Sequence, residues 1–474
     1  MAAEKTDEPE KTRWADLFRG GLARYTITLN LGVLLFGTDV YLIQSIMPTV
    51  IADVGGMQFY TWTLITFSVG SIIGTSSAEP LRRALGRRNG SALAGLIFLI
   101  GTMGAALSGS IVTLIAWRLI QGLGGGSVIS QSYGMVGEVI PANLRARALS
   151  FISLTWGIAT IIGPTFGGVF AELGFWRGAF WAVVPLTVIF IFMVWRFVPT
   201  GQVAGAKGGI PALRLATIAA AILCLSASSQ MDSMAARIGF VALSLGLTVY
   251  FFTRDDRAEQ KMFPSKAMSL FTKLGASYWI LLLISIVHTV IGAFATLFLQ
   301  VLHAQTPLVA AFVFALTSFL WTAAAVVVGG LQGRAIAVSI GAGLLLVFAG
   351  ATGVALFVLT GPVWLLALSF TFVGIGTGMS YNHLIVWAIN AAPPEEQPMT
   401  ASASATMRAL GIAYGAAIAG LLGGAAGLKD GVPQAIFEGA MHVVYNANVA
   451  IAATVIVAGL ILWSHMRRDR LLAG

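Results

Sequence analysis

The sequence is short of the residues that build a water-soluble surface. Only 10% of its 474 residues are charged, while 57% are hydrophobic, and its mean hydropathy is +0.86. A soluble chain of this length needs a charged exterior and has nowhere to hide so much apolar surface. A single cysteine, Cys224, excludes an intramolecular disulfide and a cysteine-based metal centre. No Gly-rich loop is followed by Lys-Ser or Lys-Thr: the run Gly122-Leu-Gly-Gly-Gly126 lacks that ending, so ATP-driven transport is disfavoured. No His-Glu-x-x-His stretch points to an intramembrane metalloprotease. Period-two alternation is absent too, which argues against a membrane-spanning barrel.

What the sequence has instead is a succession of apolar runs of spanning length. They fall near 24–51, 58–78, 90–109, 111–136, 144–170 and 175–199, then 210–229 and 235–253. Six more lie near 274–303, 306–331, 335–358, 361–392, 398–426 and 443–466. The fold class expected is an all-α polytopic membrane protein of about fourteen spans. Its organisation is a tail (1–23), a six-helix bundle (24–200), a linker carrying two extra helices (201–266), a second six-helix bundle (267–466) and a short tail (467–474). The N-terminal segment is charged and lacks the apolar core of a signal peptide, so it is expected to be a disordered tail rather than a cleaved leader.

The formal net charge is +9. In a soluble protein that would suggest nucleic acid; here the basic residues lie between the apolar runs. They gather at Lys11, Arg13, Arg19 and Arg24, at Arg82, Arg83, Arg87 and Arg88, at Arg145 and Arg147, at Arg254, Arg257 and Lys261, and at Arg467, Arg468 and Arg470. An even number of spans puts all of them on one side, which the positive-inside rule makes cytoplasmic. The location expected is the inner (plasma) membrane with both termini cytoplasmic. The expected partners are the lipid bilayer and a small-molecule substrate, not nucleic acid; a monomer is expected, and a periplasmic adaptor is left open.

Several segments in order resemble the fourteen-helix drug:proton antiporters of the major facilitator superfamily. They are Asp39 through Pro48, with Gln44 where the family usually has asparagine; Gly86-Arg87-Arg88, which ends a cytoplasmic signature; and Arg118-Leu-Ile-Gln121-Gly122 in the fourth span. Gly163-Pro164-Thr-Phe-Gly167-Gly168 is similar to the antiporter motif, and Phe175-Trp176-Arg177 to the opening of the sixth span. Phe298-Leu-Gln300, Thr306-Pro307 and Thr406 through Gly411 also look familial. The resemblance spans about Tyr25 to Trp463. It implies two six-helix bundles that rock around a central cavity, with the proton gradient and no cofactor as the energy source. One departure stands out: the family's signature acid falls on Arg83 and its leading glycine on Glu79. Glu79, a helical turn earlier, can take over the acid's latch role, or be only a solvated or headgroup contact.

Placing the 19 acids by depth leaves Asp39 alone at mid-membrane. It stands about fifteen residues, or roughly 22 Å of helix, from the cytoplasmic start of its span. A carboxylate there costs several kcal/mol unless paired or protonated, which makes it the candidate proton carrier; the alternative is a cap on a helix broken at Gly37. Arg118 falls within about 10 Å of the same height by helix rise and is expected to tune Asp39's hold on a proton, or else to clamp the bundle. Gly163, Pro164, Gly167 and Gly168 permit close approach and a bend, as packing or as a gate, and Gly86 and Arg87 belong with the cytoplasmic gating set. Arg408 lies about ten residues into its span as a candidate for anionic parts of a substrate, with snorkelling the alternative. His288 and His383 are either titrating groups or core histidines. Tyr41, Gln44, Trp321, Tyr381 and Asn382 complete the candidate cavity lining.

The function expected is a proton-coupled antiporter that exports amphipathic small molecules, and not an enzyme. Against it stand an exporter of an anionic or lipidic natural product, suggested by Arg118 and Arg408 outnumbering Asp39, and a non-transporting scaffold or sensor.

Overall fold

A computed structural model describes residues 13–201 and 210–472. Residues 1–12 of the expected 1–23 tail, residues 202–209 of the Gly-rich linker that begins at Gly201, and the side chains of Arg467, Arg468 and Arg470 lie outside the described residues. Among the described residues there are no strands. Thirteen helices are long and apolar enough to cross a bilayer: α1 (Leu22–Val54), α2 (Trp62–Ala106), α3 (Ile111–Val139), α4 (Arg145–Glu172), α5 (Trp176–Phe197), α6 (Ala212–Ala227), α7 (Met234–Asp256), α8 (Lys273–Val301), α9 (Pro307–Val328), α10 (Arg334–Phe357), α11 (Val363–Ala391), α12 (Gln397–Ala425) and α13 (Gln434–Leu472).

The apparent shortfall of one span lies in α2. Its 45 residues are interrupted at Gly86, whose φ of 82° and ψ of 164° are not helical. The two arms fold back on each other there: a Cβ at Gly90 would lie 3.0 Å from the Cα of Arg82. Further along, Gly70 on the first arm and Gly101 on the second both press on the same stretch of α3, at Leu119 and Gln121. The stretch around residues 79–89, which hydropathy leaves as a loop, is therefore two helix ends meeting at one glycine.

Helix direction gives the same count independently. Gly37 meets Ala159, Gly163 meets Tyr41 and Gly167 meets Ser45, so α1 and α4 run parallel. They can do so only if α2 crosses twice. Fourteen crossings result, with every basic loop at one end.

The glycine contacts also expose an internal repeat. Gly411 meets Ser285 and Gly415 meets Thr289, so α12 packs on α8 as α4 packs on α1. Gly374 and Gly378 seat α11 on Thr317 and Trp321 of α9, as Gly122 and Gly126 seat α3 on Phe67 and Ser71 of the first α2 arm. The chain is thus two six-helix units, α1–α5 and α8–α13, with α6 and α7 inserted between them. In this register Asp39 corresponds to Leu283, Arg118 to Phe370, Gln44 to His288 and Thr160 to Arg408. The insert packs beside α12, where a Cβ at Gly424 would lie 3.0 Å from Ser229 O and Thr248 hydrogen-bonds Tyr414. Gln230 Nε2 donates to Gln58 O, tying the insert to the first unit (2.9 Å).

Lipid offers no hydrophobic force between helices, so these close glycine seams supply much of the packing energy. At Gly167 an added Cβ would sit 2.6 Å from Ser45 Cβ and 2.8 Å from Leu42 O, whereas at Gly157 nothing lies within 4 Å. Gly167→Leu is expected to lower stability by about 1–3 kcal/mol through overpacking, and Gly157→Leu to leave it unchanged. Thermal midpoints of the two variants in detergent check this; equal midpoints would count against a tight α1–α4 seam.

Candidate functional site

Asp39 is fully buried midway along α1, and Arg118 of α3 is fully buried facing it. Arg118 Nη1 donates to Asp39 Oδ2 at 2.6 Å and to Gln121 Oε1 at 2.6 Å. Gln121 Nε2 donates to Asp39 Oδ1 at 2.7 Å and to Thr102 Oγ1 at 2.9 Å. The carboxylate is therefore bound on both oxygens. Arg118 Nε reaches Thr63 O (3.4 Å), and the guanidinium lies 4.2 Å from the Phe67 ring centre. Its Nη2 is buried without a hydrogen-bond partner.

Local sequence explains the closeness. A Cβ at Gly101 would fall 2.4 Å from Gln121 N, and one at Gly122 would fall 2.2 Å from Phe67 O. Only glycine lets both α2 arms approach α3 there, which brings Thr102 and Thr63 into reach of the charged pair. The Gly122–Gly126 run is this seam.

Arg408 of α12 stands on the other unit. The repeat sets it level with Thr160, and the α1–α4 register sets Asp39 level with Ile161, so the two differ in height by roughly 1.5 Å. The Arg408 guanidinium lies 4.8 Å from the Trp321 ring centre and 5.5 Å from that of Trp156 across the interface. Trp321 is flanked by His288 (5.5 Å) and Tyr381 (5.3 Å), and His288 also meets Phe314 (6.3 Å). Trp156 in turn contacts Phe36 (6.0 Å), and Phe36 contacts Phe67 beneath Arg118 (5.6 Å). Aromatic rings thus connect buried Arg118 with half-buried Arg408. Tyr41 packs on Gly163. Gln44 turns its Nε2 back to Val40 O and leaves Oε1 buried and unpartnered near Gly292.

Asn382 does not join this cluster. It is exposed on the face of α11 shared with Leu368 and Val386, about 100° around the helix from buried Tyr381. His383 is buried on another face, with Nε2 unpartnered.

At the basic end, Glu79 bonds the arginines of its own helix: Arg83 Nε at 3.2 Å and Arg82 Nη1 at 3.6 Å. Glu138 at the end of α3 takes Arg82 (2.6 Å) and Arg87 (2.7 Å). The Gly86 vertex is fixed by Arg87 N donating to Gly201 O and Arg88 Nε to Val198 O. Sequence reasoning misses Glu138, which lies beyond the signature, and Gln121, whose signal is its place one turn after Arg118. At the opposite end the two units are joined. Asp430 accepts from the N–H groups of Gly56 (2.7 Å) and Met57 (3.0 Å), and Glu172 accepts from Leu308 N (3.3 Å). Thr296 Oγ1 donates to Gln44 O at 2.6 Å. Pro164 lies within α4 between the two seam glycines, and Gly168 meets Leu308 of α9.

Comparison with known proteins agrees with this architecture. The family model described as the Major Facilitator Superfamily matches residues 29–416. A probable multidrug-efflux transporter of Mycobacterium tuberculosis is 29% identical over 433 residues, covering 87% of this chain and 90% of that one. Among solved structures, a D-xylose-proton symporter superposes with a TM-score of 0.67 at 15% identity, covering 93% of this chain and 97% of its own. A POT family transporter in complex with 5-aminolevulinic acid gives 0.66 at 15% identity, covering 93% and 95%.

Proposed function

The chain belongs to the major facilitator superfamily, and from that premise we propose that it is a proton-coupled antiporter exporting amphipathic small molecules across the inner membrane. It is a transporter and not an enzyme. The observation that carries the proton-coupled reading is the Asp39–Arg118–Gln121 group, a carboxylate sealed at mid-membrane and bound on both oxygens. An acid so placed is a functional group by default, because an ionised carboxylate in hydrocarbon is costly without a partner.

A proton arriving at Asp39 cancels its charge and weakens the bond from Arg118 Nη1. Gln121 Oε1, Thr63 O and the Phe67 face then remain to hold the guanidinium, and Nη2 is a spare donor. Protonation thereby changes what crosses the α1–α3 contact inside the first unit. The two six-helix units rock against each other where they meet, at Gly168 against Leu308 and at Trp156 against Arg408, each unit held together by its own glycine seam. Basic loops on one side make that side cytoplasmic, with both termini there. The bonds from Asp430, Glu172 and Thr296 close the other, outer side, so the arrangement is an inward-facing one. Export rather than uptake is favoured by the relative named as an efflux transporter.

Everted vesicles with an acidic interior test this reading. Adding amphipathic compounds of either charge to the outside is expected to release protons for at least one chemical group, and only in vesicles containing the protein. Proton movement for none of them, with the protein intact, would remove the antiporter reading.

A further inference from the structure

The two mid-membrane cations are not alike in their surroundings. Arg118 is neutralised by Asp39 and held by three oxygen acceptors. Arg408 has no carboxylate within ion-pair distance and no hydrogen-bond acceptor among the described residues; what its guanidinium meets is the ring faces of Trp156 and Trp321. The titratable groups within its field are Tyr41, Tyr133, His288 and Tyr381, none of them a carboxylate. With Asp39 already paired, the central layer carries one uncompensated positive charge.

A half-buried guanidinium at this depth is expensive, and the indole faces offset only about 0.5–2 kcal/mol each. Ring faces also take none of its in-plane N–H donors, which form a fork suited to a carboxylate, sulfonate or phosphate. His288 adds a buried, unpartnered Nδ1 beside Trp321. A cationic substrate entering here would meet Arg408 with no free carboxylate to receive it.

Resting on the exporter reading, we infer that the transported molecule is an organic anion with a flat apolar body, its acidic group bound by Arg408 and its ring held by Trp156 and Trp321. Trp156 belongs to one six-helix unit and Arg408 and Trp321 to the other, so such a ligand touches both and senses their relative position. This is the property a transported ligand needs in order to bias alternating access.

The test keeps the ring constant and varies the charge. Isothermal titration of the detergent-purified full chain would compare 1-naphthoate, 2-naphthalenesulfonate and 1-naphthyl phosphate with 1-naphthylmethylammonium and neutral 1-naphthalenemethanol. At least one anion is expected to bind tenfold or more tightly than the ammonium compound. Arg408→Gln should lose that tenfold advantage while leaving the neutral alcohol unchanged, and Arg408→Lys should keep part of it. Both variants must elute as the wild type does. If Arg408→Gln does not, Arg408→Lys and the wild-type panel decide. Binding of none of the anions, equal binding of the ammonium compound, or full anion affinity in Arg408→Gln each overturns the inference. Because binding is measured without a gradient, failure of proton coupling in vesicles leaves this result standing. Conversely, coupled export of a cation with no anion binding sinks only the substrate class.

Discussion

Asp39→Asn is expected to reduce proton-driven export to the level of vesicles lacking the protein, while the chain is still found in the membrane. Asparagine keeps the size of aspartate and can still accept from Gln121 Nε2, so the bundle loses little packing. It cannot take up a proton. Arg118 then faces a permanently neutral partner, and the change that protonation makes at the α1–α3 contact disappears. Exchange of substrate without a gradient should survive, since Arg408 and its tryptophans make no hydrogen bond or ion pair with Asp39 or Arg118 and reach that pair only through the packed rings of Phe36 and Phe67. Parallel gradient-driven and exchange assays on the same vesicles make the comparison. Gradient-driven export at the wild-type rate would show that the proton is carried elsewhere.

The second large effect concerns stability. Arg118→Leu leaves Asp39 buried with only Gln121 as a partner, and breaking a buried ion pair from one side costs about 3–5 kcal/mol. Asp39→Asn combined with Arg118→Leu removes both charges, so most of that loss should return. Transport should not return with it. Unfolding midpoints of the single and double variants in detergent, read beside export, separate the two roles. A single variant as stable as wild type, or a double variant no better than the single, would mean that the pair does not set the stability of this layer.

Depth is legible in the sequence, and direction around each helix is not. Helix rise alone puts Asp39 and Arg118 at similar heights, and the structure brings them to 2.6 Å. The same reasoning groups Tyr381 with Asn382, yet one residue's rotation puts the first in the core and the second outside. Glu79 is a latch candidate by its place one turn before Arg83; its position on a helix that continues to Gly86 turns it toward its own arginines. Glu138 escapes notice for a related reason: an acid at a span end looks solvated until the α2 arms bring Arg82 and Arg87 beside it. The span count is readable from hydropathy because the Gly86 vertex lies where the arginines interrupt the apolar run. The meeting of Trp156 with Arg408 has no sequence signal, since it depends on how two units far apart in the chain are docked.

The repeat has halves that match in backbone and differ in chemistry. Where the first unit has Asp39 and Arg118, the second has Leu283 and Phe370; where the second has Arg408, the first has Thr160. Duplicated scaffolds of this kind free one copy to specialise. If Asp39 carries the proton and Arg408 the substrate's charge, drive and charge recognition reside on separate copies, with Trp156 of the first unit shared by the cargo. Changes around α8–α13 can then alter what is carried without touching the residues that harness the gradient. Such a division of labour would let a transporter lineage acquire new cargoes one half at a time.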